Sequence, residues 1–292
     1  MTYIANRWKN YTLVDAGNGE KLEIWGDVLL RRPDPTAIWP INPQESRWKE
    51  ADAVYQRSST GGGHWEYKRK LPEDWTITYD DLSFKVAPTG FKHTGLFPEQ
   101  AVNWDWMKEK IQSRQSENIR ILNLFAYTGA ATMACAMAGA SEVVHVDASK
   151  GMVQWAKENM SLNGLNDRHI RFIVDDCVKF CQREKRRGRT YHGILMDPPS
   201  YGRGPSGEMW KFEKEIVSLL SCAISLLDEN ALFLLVNSYT AGFSPIVLDN
   251  LMQMALEGSK LSGVVETGDI ALPLASRKML LPCGILGRWS PQ

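Results

Sequence analysis

Between residues 119 and 286 short apolar runs alternate with stretches of helical period, and no other feature of the chain restricts its fold so strongly. Residues 119–125, 142–146, 170–174, 193–196 and 231–236 read as buried strands, with 263–270 and 280–286 as two more at the end. Helices are expected over 130–138, over the stretch that Ser149 caps and Asn163-Gly164 stops, and over 178–186, 216–227 and 246–257. A βαβ succession with right-handed crossovers predicts an open, doubly wound, mostly parallel α/β sheet. In such sheets ligands lie beyond the carboxyl ends of the strands, so the loops there are where function is to be sought.

The first 90 residues read differently. Residues 11–14, 22–25 and 28–30 are short strand candidates broken by Gly17-Asn18-Gly19 and Gly26-Asp27. Residues 75–79 and 82–86 flank Asp80-Asp81 as a hairpin, and Pro33, Pro35, Pro40 and Pro43 make 31–43 irregular. Six of the eleven tryptophans (Trp8, Trp25, Trp39, Trp48, Trp65, Trp75) fall here. They are expected to fill a thin core in preference to forming a base-stacking platform. The chain is therefore divided into a smaller antiparallel β region, 1–97, serving as substrate contact or lid, and a catalytic α/β domain, 98–292.

Charge and cysteine usage exclude several classes. Lys+Arg and Asp+Glu both number 34, so no broad cationic surface holds nucleic acid by phosphate neutralisation alone. Cys135, Cys177, Cys181, Cys222 and Cys283 are scattered among apolar residues, and the five histidines form no metal spacing, so neither a disulfide scaffold nor a metal site is expected. No stretch approaches the ~20 apolar residues of a membrane span, and the first ten residues lack the apolar core of a signal peptide. The expectation is a reduced, cytoplasmic protein with no membrane partner.

Four loops at strand ends carry the chemistry. Phe125-Ala126-Tyr127-Thr128-Gly129-Ala130 opens a helix with small residues and one glycine, which permits close approach of a ligand to backbone amides. Asp147 ends the second strand before Ala148 and Ser149, where a carboxylate can accept from both hydroxyls of a ribose. Asp175-Asp176-Cys177 ends the third; a side-chain oxygen there suits an exocyclic amine and the Cys177 amide a ring nitrogen, while Asp175 is a candidate helix cap. Asp197-Pro198-Pro199 ends the fourth. Two prolines fix the loop, so that the Asp197 carboxylate and Pro198 carbonyl lie side by side as acceptors for a planar NH2 group, with Tyr201 able to stack on its ring.

Together these loops resemble those of the class I S-adenosylmethionine-dependent methyltransferases, in particular the branch of bacterial 23S ribosomal RNA base methyltransferases. The resemblance runs from Thr94 to the C-terminus and is carried by residues 122–129, Val144-His145-Val146-Asp147 and Asp197-Pro198-Pro199, with Thr94–Gln100 similar to the family's lead-in over the cofactor. It implies a seven-stranded Rossmann-like sheet. It also implies S-adenosylmethionine held by Phe97, Gln100, the 125–130 loop, Asp147, Ala148, Ser149, Asp176 and Cys177, with Asp197 beside the transferring methyl.

Methylating cytosine C5 requires a thiolate to add at C6, and branch members that do so resemble one another in a cysteine just after strand five. Here that place reads Asn237-Ser238-Tyr239-Thr240. The branch's guanine-N7 members carry asparagine near this point, so the resemblance implies a nitrogen acceptor in large-subunit ribosomal RNA, with Asp197, Pro198, Tyr201 and Asn237 around it. The one basic run, 183–189, precedes the fourth strand and reads as a solvated helix end, whereas Arg203, Lys211 and Lys214 follow Asp-Pro-Pro and suit a phosphate. Rival readings are a methyltransferase acting on a small molecule or protein amide, which the neutral charge favours; a nicotinamide-dependent oxidoreductase, against which the missing glycines count; and a non-catalytic cofactor-binding RNA protein.

Overall fold

Each apolar run of the second half becomes a strand with its flanking turn residues outside it. The computed structural model describes residues 1–58, 62–114 and 118–292. The chain divides into two units: one of Met1–Thr2, Val102–Asp269 and Gly284–Gln292, the other of Tyr3–Ala101 and Ile270–Cys283.

The first unit carries most of the main sheet. The strands of that sheet are β1 (Arg120–Leu124), β2 (Glu142–Asp147), β3 (Ile170–Val174), β4 (Gly193–Met196), β5 (Phe233–Ser238), β6 (Val264–Pro273) and β7 (Leu280–Ser290), of which 270–273 and 280–283 belong to the other unit. The helices of the first unit are α1 (Ala101–Gln112), α2 (Ala130–Met137), α3 (Lys150–Leu162), α4 (Cys177–Arg186), α5 (Phe212–Ile224) and α6 (Pro245–Leu256). The order across the sheet is β3-β2-β1-β4-β5-β7-β6, and the short strand Thr2–Ile4 at the edge makes eight where seven are expected. Strands β3, β2, β1, β4 and β5 pair in parallel, while β7 pairs antiparallel to β5. Order reverses on either side of β1, which makes the β1/β4 crevice the switch point.

The middle strands are mainly apolar because helices cover them. Leu122, Leu124, Val144, Val146, Ile194, Met196, Leu234 and Val236 lie in one core cluster with residues of α4 and α5. Helix boundaries follow local chemistry. Ser149 caps α3 by accepting the Met152 amide, and Gly139 (φ 104°) follows the end of α2 in the left-handed conformation.

The second unit holds a five-stranded sheet, Tyr11–Gly17, Glu20–Trp25, Val28–Pro33, Ala53–Arg57 and Gly63–Tyr67, plus the hairpin Thr76–Tyr79/Leu82–Lys85. All pairings in the larger sheet are antiparallel except Val28–Pro33 with Ala53–Arg57. Asn18 (φ 54°) and Gly19 (φ 78°) supply the two positive φ angles of a tight hairpin turn. The tryptophans pack. Trp25, Trp48 and Trp75 are buried, and the indoles of Trp8, Trp39, Trp48, Trp65 and Trp75 donate to Pro98 O, Ala16 O, Asp15 Oδ2, Thr89 O and Trp25 O at 2.7–3.0 Å. Ring faces held by such bonds are poor platforms for a base.

Candidate active site

The first loop leaves β1 under backbone strain. Phe125 (φ 54°), Tyr127 (φ 51°) and Gly129 (φ 83°) all take the left-handed conformation, unusual for two aromatic residues. Only glycine serves at 129, because a Cβ there would lie 2.9 Å from the Ala156 Cβ of α3. Asn159, buried on α3, donates to the Thr128 carbonyl at 2.9 Å and holds the loop from below. Small residues and turned backbone lead into the N-terminus of α2, whose amides suit a carboxylate or other anion.

Asp147 organises the next tip. Its Oδ2 accepts the Tyr127 amide and its Oδ1 the Ser149 amide, both at 2.8 Å, so the carboxylate cannot rotate. Burial raises its pKa above the ordinary value, against the opposing pull of those two amides. A carboxylate has about four acceptor positions, and two donors leave each oxygen room for one more, as a vicinal diol requires. Ser149 spends its hydroxyl on the α3 cap, and Ala148 is half-buried between these two residues.

At the third tip the helix cap falls to the other aspartate. Asp176, not Asp175, caps α4 by accepting the Lys179 amide at 2.9 Å. Asp175 instead pairs with Arg183 and accepts the Asp176 amide at 2.8 Å. Cys177 opens α4 fully buried, its sulfur accepting the Phe125 amide at 3.3 Å, and burial pushes its thiol pKa well up.

The fourth tip is tied to the first. The Asp197 amide reaches Leu124 O at 3.4 Å, continuing the parallel ladder past β4. Pro199 O accepts the indole N–H of Trp210 at 2.6 Å, and the Trp210 ring packs on Phe125 with centroids 5.0 Å apart. Thr240, after β5, donates to the Ser200 hydroxyl at 2.9 Å. Tyr201 is 49% exposed, its hydroxyl on Met209 Sδ at 3.1 Å. Asn237, by contrast, is 3% exposed: its Oδ1 accepts from Asn103 at 2.9 Å, and Asn103 Oδ1 in turn accepts two bonds from Arg288, at 2.7 and 3.2 Å. Arg288 stacks over Trp106 at 5.0 Å.

The loops predicted from sequence are therefore stitched into one rim: the first to the second through Tyr127 and Asp147, the second to the third through the Asp175 amide on Asp147 O at 3.1 Å, and the first to the fourth through Phe125 and Trp210. Phe97 and Gln100 fall in the other unit, where the Gln100 amide donates to Phe97 O at 3.1 Å. Trp210, Asn103, Arg288 and Asn159 are not among the site residues expected from sequence. Trp210 has a signal there, a Gly-Pro-Ser-Gly turn between two short alternating runs. His145 is buried with Nδ1 3.0 Å from Thr132 Oγ1, and burial lowers its pKa to about 3, so it stays neutral and is no acid or base. Among the described residues no cluster of His, Cys, Asp or Glu could hold a metal, and no helix is long and apolar enough to cross a membrane.

Comparison with known proteins identifies the family. A family model described as S-adenosylmethionine-dependent methyltransferase matches residues 50–242. The crystal structure of an S-adenosylmethionine-dependent methyltransferase from Agrobacterium tumefaciens superposes with TM-score 0.94 at 36% identity, covering 100% of this chain and 94% of that one. A chain from Streptococcus mutans shares the fold at TM-score 0.75 and 17% identity, over 98% of this chain and 76% of its own. Ribosomal RNA large subunit methyltransferase K/L of Shewanella baltica is 31% identical over 206 residues, 69% of this chain and 26% of the relative. The enzyme of the same name from Shewanella frigidimarina is 33% identical over 207 residues, 70% and 27%. The chain thus spans about a quarter of the length of these ribosomal relatives. With the family model covering most of the chain and a solved relative matching nearly all of it, the chain belongs to the S-adenosylmethionine-dependent methyltransferase family.

Proposed function

We propose that the chain methylates a nitrogen of a base in RNA, with large-subunit ribosomal RNA as the substrate class. The observation that carries the reading is the Asp197-Pro198-Pro199 loop locked by Trp210 beside a rim whose carboxylate, Asp147, is fixed by two backbone amides. The names of the Shewanella relatives support the RNA class.

The rim fits S-adenosylmethionine. Asp147 has the free acceptor positions for the ribose hydroxyls, with Ala148 and Ser149 beside it. The free oxygen of Asp176 and the Cys177 amide at the start of α4 suit the adenine edge, and the turned 125–130 backbone suits the amino-acid end. Bound there, the cofactor supplies an already activated methyl group, so the chain's task is orientation, which in well-fixed pairs is worth up to about 7–11 kcal/mol. Asp197 and the Pro198 carbonyl accept the N–H bonds of the acceptor and turn its lone pair toward the methyl. Tyr201, exposed at the rim, stacks on a base taken out of its helix. Asn237, held beneath by Asn103, positions the end of β5.

A nitrogen acceptor is favoured because the strand tips offer no thiolate among the described residues: Cys222, whose pKa the Cys181 thiol lowers to about 7, lies within α5. Cys177 is buried with its pKa raised, and Cys135 is buried within α2, its thiol pushed up to about 12. Incubating the purified chain with deuteromethyl-labelled S-adenosylmethionine and unmodified large-subunit ribosomal RNA, then digesting to nucleosides for mass spectrometry, tests the reading. Label on a base nitrogen is expected. Label that resists ribonuclease and stays with protein or small molecules would replace this reading with the small-molecule or protein-amide one.

A further inference from the structure

Directly after Asp-Pro-Pro the chain doubles back as a ribbon, Tyr201–Arg203 against Met209–Lys211. Tyr201 lies opposite Lys211, Gly202 opposite Trp210 and Arg203 opposite Met209. Opposed residues of an antiparallel pair share a face, and successive residues alternate. One face therefore carries Gly202 and Trp210, and the other carries Tyr201, Arg203, Met209 and Lys211.

The two faces have opposite fates. Trp210 is buried against Phe125 and bonded to Pro199, which pins the ribbon to the Asp197 loop. All four residues of the other face are exposed. Among the described residues neither the Arg203 nor the Lys211 side chain enters a hydrogen bond or ion pair. Three of the five cations in the basic run 183–189 are spent internally, Arg183 on Asp175, Arg187 on Glu184 and Arg189 on Glu142. The ribbon's own carboxylate, Glu208, is neutralised by Lys179. What remains on the outward face is a phenol, a thioether and two uncommitted cations in diagonal register, roughly 7–8 Å apart.

We propose that this outward face is a contact for single-stranded RNA at and beside the target base, with Arg203 and Lys211 on neighbouring backbone phosphates, Tyr201 on the target base and Met209 against its neighbour. The inference rests on the RNA reading above. Two point cations suit phosphates, flat or polarisable side chains between them suit unstacked bases, and a chain of zero net charge needs such a local grip because its surface as a whole supplies none. Pinning the ribbon to the Asp197 loop makes the grip an aligning device: strand held here enters the methyl-transfer point at a set register.

The test uses the full chain saturated with S-adenosylhomocysteine and a short fluorescent single-stranded RNA of mixed sequence, titrated by anisotropy over a series of salt concentrations. Arg203→Gln with Lys211→Gln is expected to weaken binding at low salt at least about tenfold. The slope of log affinity against log salt should fall by about 1.4, near 0.7 for each phosphate left without its cation. Tyr201→Ala is expected to weaken binding by roughly tenfold with an unchanged slope. Calorimetric affinity for S-adenosylhomocysteine should be the same in the double variant as in the parent, which shows that the rim is intact. A parent that binds RNA together with a double variant that keeps parental affinity and slope overturns the ribbon while sparing the RNA reading. A parent that binds no RNA, or an acidic peptide that displaces it from the same residues, overturns both.

Discussion

Trp210 donates its indole N–H to the carbonyl of Pro199 at 2.6 Å, closing the loop that carries Asp197. Two successive prolines offer no backbone N–H of their own, so this loop must be held through its carbonyls. Trp210→Phe keeps an aromatic ring against Phe125 and removes the donor. An unsatisfied carbonyl costs about 1–3 kcal/mol, so single-turnover methyl transfer should slow by roughly five- to a hundredfold. Affinity for S-adenosylhomocysteine should change less than about twofold. Equal losses in both would mean that the tryptophan merely supports the rim.

Asn103 is the centre of a buried chain from Arg288 to Asn237. Asn103→Ala removes acceptor and donor together and leaves the Arg288 guanidinium short of a partner, at a cost of about 1–3 kcal/mol. Thermal unfolding should move down by roughly 2–4 °C per kcal/mol. Arg288→Lys should recover little of what Arg288→Met loses, because an ammonium cannot span the paired bonds to Asn103 Oδ1 and Val102 O. Melting curves of the variants check this, and full stability in Arg288→Lys would contradict it.

In the N-terminal unit Glu23 and Arg32 form a buried pair, Nε to Oε2 at 2.7 Å, with the Tyr11 hydroxyl on Glu23 Oε1 at 2.8 Å. Burial alone would raise the carboxyl, but Arg32 and Lys21 outweigh it and lower the pKa to about 2. The unfolded value is about 4.3, so the stabilisation is complete above that pH and disappears as the pH falls toward the folded value. Calorimetric unfolding should weaken between pH ~5 and ~2. Glu23→Gln should start about 3–5 kcal/mol less stable and lose less on acidification. A parallel acid limb in the two proteins would rule Glu23 out as its source.

The sheet is legible in the sequence because its central parallel strands are buried and so read as mainly apolar runs, which together with the edge strand end at Asp147, Asp175 and Asp197. Asp147 stands out for the same reason. Local spacing cannot choose between Asp175 and Asp176 as the α4 cap, since both precede the helix; the choice is made by Arg183, two turns along, which takes Asp175. Strands of three residues carry too little periodicity to detect, so the edge strand Thr2–Ile4 leaves no pattern to read, and the ribbon holding Tyr201 and Trp210 is marked only by its Gly-Pro-Ser-Gly turn. Asn103 and Arg288 are 185 residues apart, and nothing local in either marks the other as its partner.

The most direct measurement is calorimetric titration of the full chain and its Asp147→Asn variant with S-adenosylhomocysteine. The substituted side chain would turn an amide N–H2 toward the Tyr127 or Ser149 amide and could not accept from both ribose hydroxyls. With charge-assisted hydrogen bonds worth about 1.5–3 kcal/mol, affinity should fall roughly ten- to a hundredfold while the parent binds one molecule per chain. Parental affinity in the variant, or no binding by the parent, would contradict the placement of the cofactor at the strand tips.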